Sequence, residues 1–325
     1  MSGEGPLVSV VVPVYDEMTT IQETLRSVLA QDYGNIEVIV VDDGSTDGSA
    51  VVARAIADRH ERVRVLENGT NLGQSFARNR GAVEADGKYL VFHDADDLST
   101  PSRVRKQVAF MEDNPDVGVL GSAYYYFNPL RGERTVRTRP ADDATLRRNL
   151  ARESMVNLGT AMYRWSALEG TSLFRAEYAE GYDLLVRLAA DHELANLREP
   201  LYVYRVDEDS FSRQNELPQK LALIRRGVQA VRTLGVGHRN LCLTPGWLAY
   251  MYVPDRAKAA IRRLFSPTDN RPISDADERR LERTLEIAED GTSMPDDVGG
   301  ARADASTGDG TVESGGTDPL RSTQD

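Results

Sequence analysis

The chain has 325 residues, 40% of them hydrophobic, which suffices for one large core-bearing domain with an appendage. Its one cysteine, Cys242, excludes an intrachain disulfide and a thiolate metal centre, and the four histidines, His60, His93, His192 and His238, lack metal-ligand spacing. The net charge is −12, but residues 268–325 alone hold 15 acidic and 6 basic side chains, a net of −9, so the acidity belongs to the tail; no basic stripe suggests a nucleic-acid partner.

Leu7–Val14 is a near-continuous apolar run and predicts a first buried strand. Thr20-Ile21-Gln22-Glu23 has capping-box spacing, followed by an apolar helical face of Ile21, Leu25, Val28 and Leu29. Ile36–Val41 predicts a second strand, and the helix after Asp47 should bury Val51, Val52, Ala55 and Ile56. A short strand over Val63–Leu66, a helix over Ser75–Ala85 and a buried strand over Tyr89–Phe92 follow. Pro101 suits the first turn of a helix whose inner face is Val104, Val108 and Met111, and Val117–Gly121 resumes strand. Strands alternating with helices imply a mostly parallel sheet covered on both faces.

From about residue 125 the alternation weakens. Pro129-Leu130-Arg131-Gly132-Glu133 reads as a turn and Asp142–Glu153 as an exposed helix. Ala161–Tyr163 and Leu201–Tyr204 are candidate mixed-sheet strands bracketing a helix near Tyr182–Ala190, and Leu217–Leu234 reads as a long helix. Residues 291–325, rich in Gly, Ser, Thr, Asp and Pro, have too little apolar content to order themselves. The expected organisation is a flexible start over 1–6, a ligand-binding half over 7–125, a second half over 126–215, a helical extension over 216–290 and the acidic tail.

Two acidic clusters carry the chemistry. Asp42-Asp43-Gly44-Ser45 and Asp94-Ala95-Asp96-Asp97 each follow an apolar strand, at the edge where open α/β sheets bind ligands. Turn chemistry accounts for Gly44 and Ser45 but not for adjacent carboxylates. On an extended segment Asp94 and Asp96 would face one way and Ala95 the other. Hard carboxylate oxygens suit Mg2+ or Mn2+, and such a cation suits a diphosphate. No glycine-rich G-x-G-x-x-G turn follows the first strand, which argues against dinucleotide chemistry. Pro13-Val14-Tyr15-Asp16-Glu17 reads either as an ordinary strand-to-helix turn or as a nucleobase platform formed by Pro13, Tyr15 and Glu17. Arg78 is either on a solvated helix face or turned to a phosphate or sugar; for Arg80 the solvated face is preferred, and for His93 a packing role.

Val8–Glu17, Val40–Asp47, Asn71-Leu72-Gly73 with Ala77–Gly81, and His93–Asp97 occur in the order and spacing that resemble family-2 glycosyltransferases, over roughly residues 7–205. The resemblance implies a GT-A fold, inversion at the transferred sugar, and a nucleoside-diphosphate sugar donor, with UDP-sugars favoured. It implies that Asp43 accepts a hydrogen bond from the base, that Asp94 approaches ribose or metal, and that Asp96 holds the Mn2+ or Mg2+.

The second half departs from that family. Its acidic signature is Glu-Asp followed by aromatic-Asp-Leu, with the second residue as general base. This chain reads Ala179-Glu180-Gly181-Tyr182-Asp183-Leu184, so the base position falls on Gly181. Either Glu180, if Gly181 lets the backbone turn, or Asp183 takes the role, or the acceptor brings its own base, or the protein is a non-catalytic nucleotide-sugar-binding module. A nucleotidyltransferase is disfavoured because no glycine-rich phosphate loop lies in residues 7–20. Arg164-Trp165 mimics part of a polysaccharide-synthase motif, but position 161 is alanine and no run approaches the roughly eighteen apolar residues of a membrane span.

Met1–Pro6 has neither the basic nor the apolar region of a secretion signal, so a cytoplasmic protein is expected. Only four of the 39 basic residues are lysine, which with the acidic tail points to a halophilic, GC-rich source. For a halophilic archaeon the acceptor would be a glycan, lipid-linked at the inner membrane face. Residues 247–263, aromatic and then basic, would give a peripheral membrane contact or an ordinary packed helix.

Overall fold

The computed structural model describes residues 5–175, 178–206, 216–235, 253 and 268–290. The acidic tail, and the stretch 247–263 apart from Val253, lie outside the described residues. No helix among the described residues is long and apolar enough to cross a membrane.

The amino-terminal half alternates strand and helix: β1 (Val8–Val14), α1 (Ile21–Leu29), β2 (Ile36–Asp42), α2 (Ser49–Ala57), β3 (Val63–Glu67), α3 (Gln74–Val83) and β4 (Tyr89–Phe92). All seven residues of β1 and all four of β4 are buried, as expected of strands covered on both faces. β1 pairs in parallel with β2 and β4, and β2 with β3. The carboxyl ends of β2 and β4 therefore open on the same edge, with Asp42-Asp43 on one side of β1 and the Asp94–Asp97 turn on the other.

The remainder is mixed. It comprises β5 (Leu98–Ser99), α4 (Arg103–Asp113), β6 (Val117–Asn128), β7 (Glu133–Thr138), α5 (Asp143–Asn149), a single 3-10 turn (Leu158–Thr160), β8 (Met162–Arg164), α6 (Trp165–Leu168), α7 (Glu180–Leu188), β9 (Glu193–Arg205), α8 (Glu216–Leu234), β10 (Asp269–Pro272) and α9 (Asp275–Glu289). Among the described residues the sheet runs β10-β7-β6-β8-β4-β1-β2-β3, with β9 joining β6 in parallel and β5 antiparallel. One core packs α3, α7 and the 146–174 region against the sheet; another packs α1, α2 and α4 against the opposite face. A third places Leu281 and Ala288 of α9 on Tyr125, Val136 and Val203.

Two local expectations fail. Thr20 makes no side-chain cap; its hydroxyl turns back to the Glu17 carboxylate at 3.0 Å, so the capping box is not formed. On α2 the buried positions are Ser49, Ala53 and Ile56, while Val51 is 60% exposed. That helix carries apolar residues around much of its circumference, so spacing alone does not select the inner face.

Candidate active site

The turn after β2 is fixed by its surroundings. Gly44 has φ +78, and a Cβ there would lie 2.6–2.8 Å from the backbone of Thr70 and Asn71. Only glycine lets the two loops approach so closely. Asp43 is buried, and its carboxylate ties these loops together. Oδ1 accepts from Asn68 Nδ2 at 2.7 Å and Leu72 N at 3.0 Å, and Oδ2 from Gly73 N at 2.8 Å. A carboxylate has about four acceptor positions, so one remains on Oδ2. Asp42 is also buried, and its Oδ1 has no partner.

Across β1, Pro13 stands in register with Val41, and Tyr15 emerges 45% exposed at the strand end. Asp16 adopts a left-handed φ of 53°, held because Thr46 N donates to its carboxylate at 2.7 Å and its own N–H to Ser45 Oγ at 3.1 Å. Glu17 is partly exposed, with its N–H donating to Ser49 Oγ at 2.8 Å. Pro13, Tyr15, Glu17 and Asp43 thus frame one side of the sheet edge.

Asp94–Asp97 is not the extended segment that side-chain alternation required. Asp97 N donates to Asp94 O at 3.3 Å and Ala95-Asp96 form the turn. Asp94 and Asp96 nevertheless lie close enough to repel each other, while Ala95 is tucked into the core. Thr24 Oγ1 lies 2.8 Å from Ala95 O and 2.9 Å from Asp97 O, and Arg205 contacts Asp96 O, Asp97 Oδ1 and Glu23. Burial, then repulsion from Asp94 and Glu17, pushes the Asp96 carboxyl up to about 7. Asp97, fully buried, is raised well above the usual carboxylate range by burial and by Asp96 and Asp94. His93 is buried beneath the turn, its two ring nitrogens 2.8 Å from Asp94 O and 3.0 Å from Ser99 Oγ. Burial and then Arg103 lower its pKa to about 3 and keep the ring neutral.

Asp96 thus stands beside the Asp94 and Glu17 carboxylates at a ligand edge, where burial and their repulsion outweigh the nearby Arg205. That donor set fits a divalent cation. Among the described residues no group of three or more His, Cys, Asp or Glu side chains converges as a metal cage. Asp94 and Asp96 would supply at most two ligands, which is the habit of Mg2+ sites completed by phosphate oxygens and water.

Arg78 is buried to 2% exposure and bridges the two halves. One terminal nitrogen donates to Asp94 Oδ1 and the other to Glu180 Oε1, each at 2.7 Å, and the guanidinium lies 5.6 Å from the Phe174 ring centroid. It is neither solvated nor free. Arg80 remains partly exposed, as expected, and its guanidinium also donates to Asn68 Oδ1. Asn79 pins the opposite loop, donating to Phe174 O at 2.6 Å and accepting from Phe174 N at 2.9 Å.

Glu180 opens α7, and its Oε1 is the oxygen engaged by Arg78. Gly181 does not turn the backbone; the left-handed residue is Ala179, at φ 53°. A Cβ on Gly181 would meet Leu158 at 3.1–3.2 Å, so that position faces an apolar neighbour. Asp183 is fully buried among three guanidiniums. Oδ1 accepts from Arg226 at 2.7 Å and Arg175 at 3.2 Å, and Oδ2 from Arg175 at 2.8 Å and Arg187 at 3.0 Å. All four acceptor positions are filled. Although burial opposes it, these contacts hold the carboxyl below its ordinary range. Asp183 is a structural hub that joins α7 to α8.

The family model for glycosyl transferase family 2 matches residues 9–170. EpsE of Bacillus subtilis strain 168, named as a glycosyltransferase, is 35% identical over 219 residues, which make up 65% of this chain and 77% of EpsE. The chain belongs to glycosyl transferase family 2. A second relative, the uncharacterized glycosyltransferase EpsJ of the same strain, is 30% identical over 67% of this chain and 65% of its own length. An uncharacterized glycosyltransferase of Haemophilus influenzae is 39% identical over 129 residues, 51% of its length. Solved structures share the GT-A fold. S. aureus TarS 1–349 in complex with UDP-GlcNAc superposes with a TM-score of 0.60 at 19% identity, covering 87% of this chain and 81% of TarS 1–349. The mannosyltransferase PcManGT from Pyrobaculum calidifontis, in complex with GDP-Man and Mn2+, gives 0.53 at 20% identity, covering 88% and 86%.

Of the residues expected from sequence, Arg78 ties Asp94 to Glu180, Asp43 and Tyr15 stand at the ends of β2 and β1, and Asp183 lies apart among its guanidiniums. Sequence reasoning missed Thr24, Asn68 and Arg205, which hold the two loops. None belongs to an acidic or glycine-rich pattern, so no local signal marked them.

Proposed function

We propose that this glycosyltransferase moves a sugar from a nucleoside-diphosphate sugar to an acceptor hydroxyl with inversion, using Glu180 as general base. The observation that carries the proposal is the Arg78 bridge, which sets Glu180 beside the Asp94-Ala95-Asp96 turn. A base must lie within hydrogen-bond reach of the acceptor hydroxyl while the leaving diphosphate sits on the other side of the reacting carbon. Oε1 is held by Arg78, which leaves Oε2 for the hydroxyl proton. As that proton moves to Glu180, the acceptor oxygen forms its bond to the anomeric carbon and the carbon–diphosphate bond breaks. One displacement inverts the centre.

In this scheme the base stacks near Tyr15 and Pro13, with its ring N–H on the remaining acceptor position of Asp43 Oδ2. Uracil and guanine both carry such a donor, so Asp43 alone does not choose between them; UDP-sugars are favoured because TarS binds UDP-GlcNAc, while PcManGT binds GDP-Man. Asp94 and Asp96 would hold Mn2+ or Mg2+, which when bound neutralises charge on the leaving diphosphate. Residues 7–125 form the donor half, 126–215 the acceptor half, 216–290 an extension and 291–325 a tail. The acceptor is a glycan, lipid-linked if the enzyme works at the cytoplasmic face of a membrane. A screen of nucleotide sugars for donor hydrolysis, with and without Mn2+, tests the proposal. Turnover of one donor class that requires the cation is expected, and binding without any turnover would favour a non-catalytic module.

A further inference from the structure

On β6, β7 and β9 the residues that face away from α9 form an aromatic row. Tyr125, Val136 and Val203 point to the α9 side, so their neighbours Tyr124, Tyr126, Arg137 and Tyr204 occupy the other face. Tyr126 and Tyr204 stand opposite each other in register and stack, with ring centroids 6.1 Å apart at 20°. The Arg137 guanidinium lies 3.7 Å from the Tyr126 ring centroid. All three remain partly exposed, although ordinary cross-strand packing would favour covering them. Arg137 Nε is enclosed and has no hydrogen-bond partner.

The row starts at the acidic turn. Arg205, the residue after Tyr204, donates its backbone N–H to Asp97 at 2.7 Å and its side chain to Asp96 O. Strand order then separates two sides. Asp43 and Tyr15 lie beyond β4 toward β1 and β2, whereas the row runs the opposite way across β9, β6 and β7. A base bound at Asp43 therefore leaves the row to another ligand. Flat aromatic faces with one idle guanidinium match a pyranose, whose C–H faces stack on rings while its hydroxyls accept hydrogen bonds.

We infer that Tyr204, Tyr126 and Arg137 form the platform that seats the acceptor's sugar ring. This rests on the transferase function proposed above and names the chemistry of its second substrate. Saturation-transfer NMR with methyl β-D-glucopyranoside and methyl α-D-mannopyranoside tests it in the full chain, with UDP, GDP and Mn2+ titrated in parallel. Ring-proton signals from at least one pyranoside are expected in the wild type, lost in Tyr126→Ala and retained in Tyr126→Phe, which keeps the ring. UDP affinity should be equal in all three. Absence of signal from both pyranosides in the wild type, or equal signal in Tyr126→Ala, overturns the platform. So does loss of both probes in Tyr126→Ala, which would make Tyr126 a structural residue. If neither UDP nor GDP binds the wild type, the donor proposal falls, while the pyranoside comparison still decides the platform.

Discussion

Arg78 and Glu180, 102 positions apart in the chain, form an ion pair at 2.7 Å that joins α3 to the first residue of α7. The same guanidinium holds Asp94, so one buried cation sets the distance between the acidic turn and the proposed base. Among the described residues neither carboxylate pairs with another cation, which makes the bridge hard to replace.

Replacing Arg78 should separate charge from geometry. Arg78→Met leaves two carboxylates facing each other near a buried hole, and breaking such a pair costs about 3–5 kcal/mol. Arg78→Lys keeps the charge, but one ammonium cannot reproduce the two-pronged contact. Differential scanning fluorimetry should show a large loss of melting temperature for Arg78→Met and a smaller one for Arg78→Lys. Donor hydrolysis by Arg78→Lys should fall further than its stability does.

Asp183→Asn should act on stability. It removes the charge around which Arg175, Arg187 and Arg226 are gathered, and leaves three guanidiniums without their partner. Loss of a buried ion-pair partner is worth about 3–5 kcal/mol, and each kcal/mol moves the melting temperature of a large domain by about 2–4 °C. The remaining folded enzyme should keep most of its turnover. An unchanged melting temperature with abolished turnover would instead make Asp183 the base.

Asp96 predicts a pH signature. Its carboxyl is raised from 3.8 to about 7 by burial and by Asp94 and Glu17, so the folded chain holds a proton that the unfolded chain releases near pH 4. Between about pH 4 and pH 7 the folded state binds more protons, and stability from this group declines as pH rises. In EDTA, melting temperatures of the wild type should therefore drop relative to those of Asp96→Asn across that window. Mn2+ with UDP should reduce the difference, because a bound cation stabilises the charged carboxylate. Parallel curves for the two proteins would show that Asp96 is not raised by burial and its carboxylate neighbours.

The fold's first half was legible because β1, β2 and β4 are buried on both faces and read as unbroken apolar runs. β9 was only half legible. Glu193–Pro200 interleaves Leu194 and Ala195 with Asn196, Arg198 and Glu199, and its pairing with β6 shifts register near Ser122–Tyr124, so no period of two survives. The acidic clusters marked the sheet edge correctly, but not their local roles. Asp43 organises the 68–73 loop as well as facing the edge, and the Asp94–Asp97 segment is a turn. Gly181 looked like a missing base. The space it faces belongs to Leu158, a contact 23 positions away that no local pattern records. Likewise the Asp183 hub draws Arg226 from α8, far along the chain, and reads in sequence as an ordinary acidic residue in a helix's first turn.

Glu180→Gln tests the account most directly. The substitution keeps the shape of the side chain and a hydrogen bond to Arg78, but it cannot take a proton from the acceptor. A general base contributes about 10²–10⁴-fold, through a contact that strengthens only in the transition state. Donor hydrolysis at saturating nucleotide sugar should therefore fall by about that factor, with UDP affinity by calorimetry essentially unchanged. Near-wild-type turnover in Glu180→Gln would contradict the assignment of Glu180 as the base.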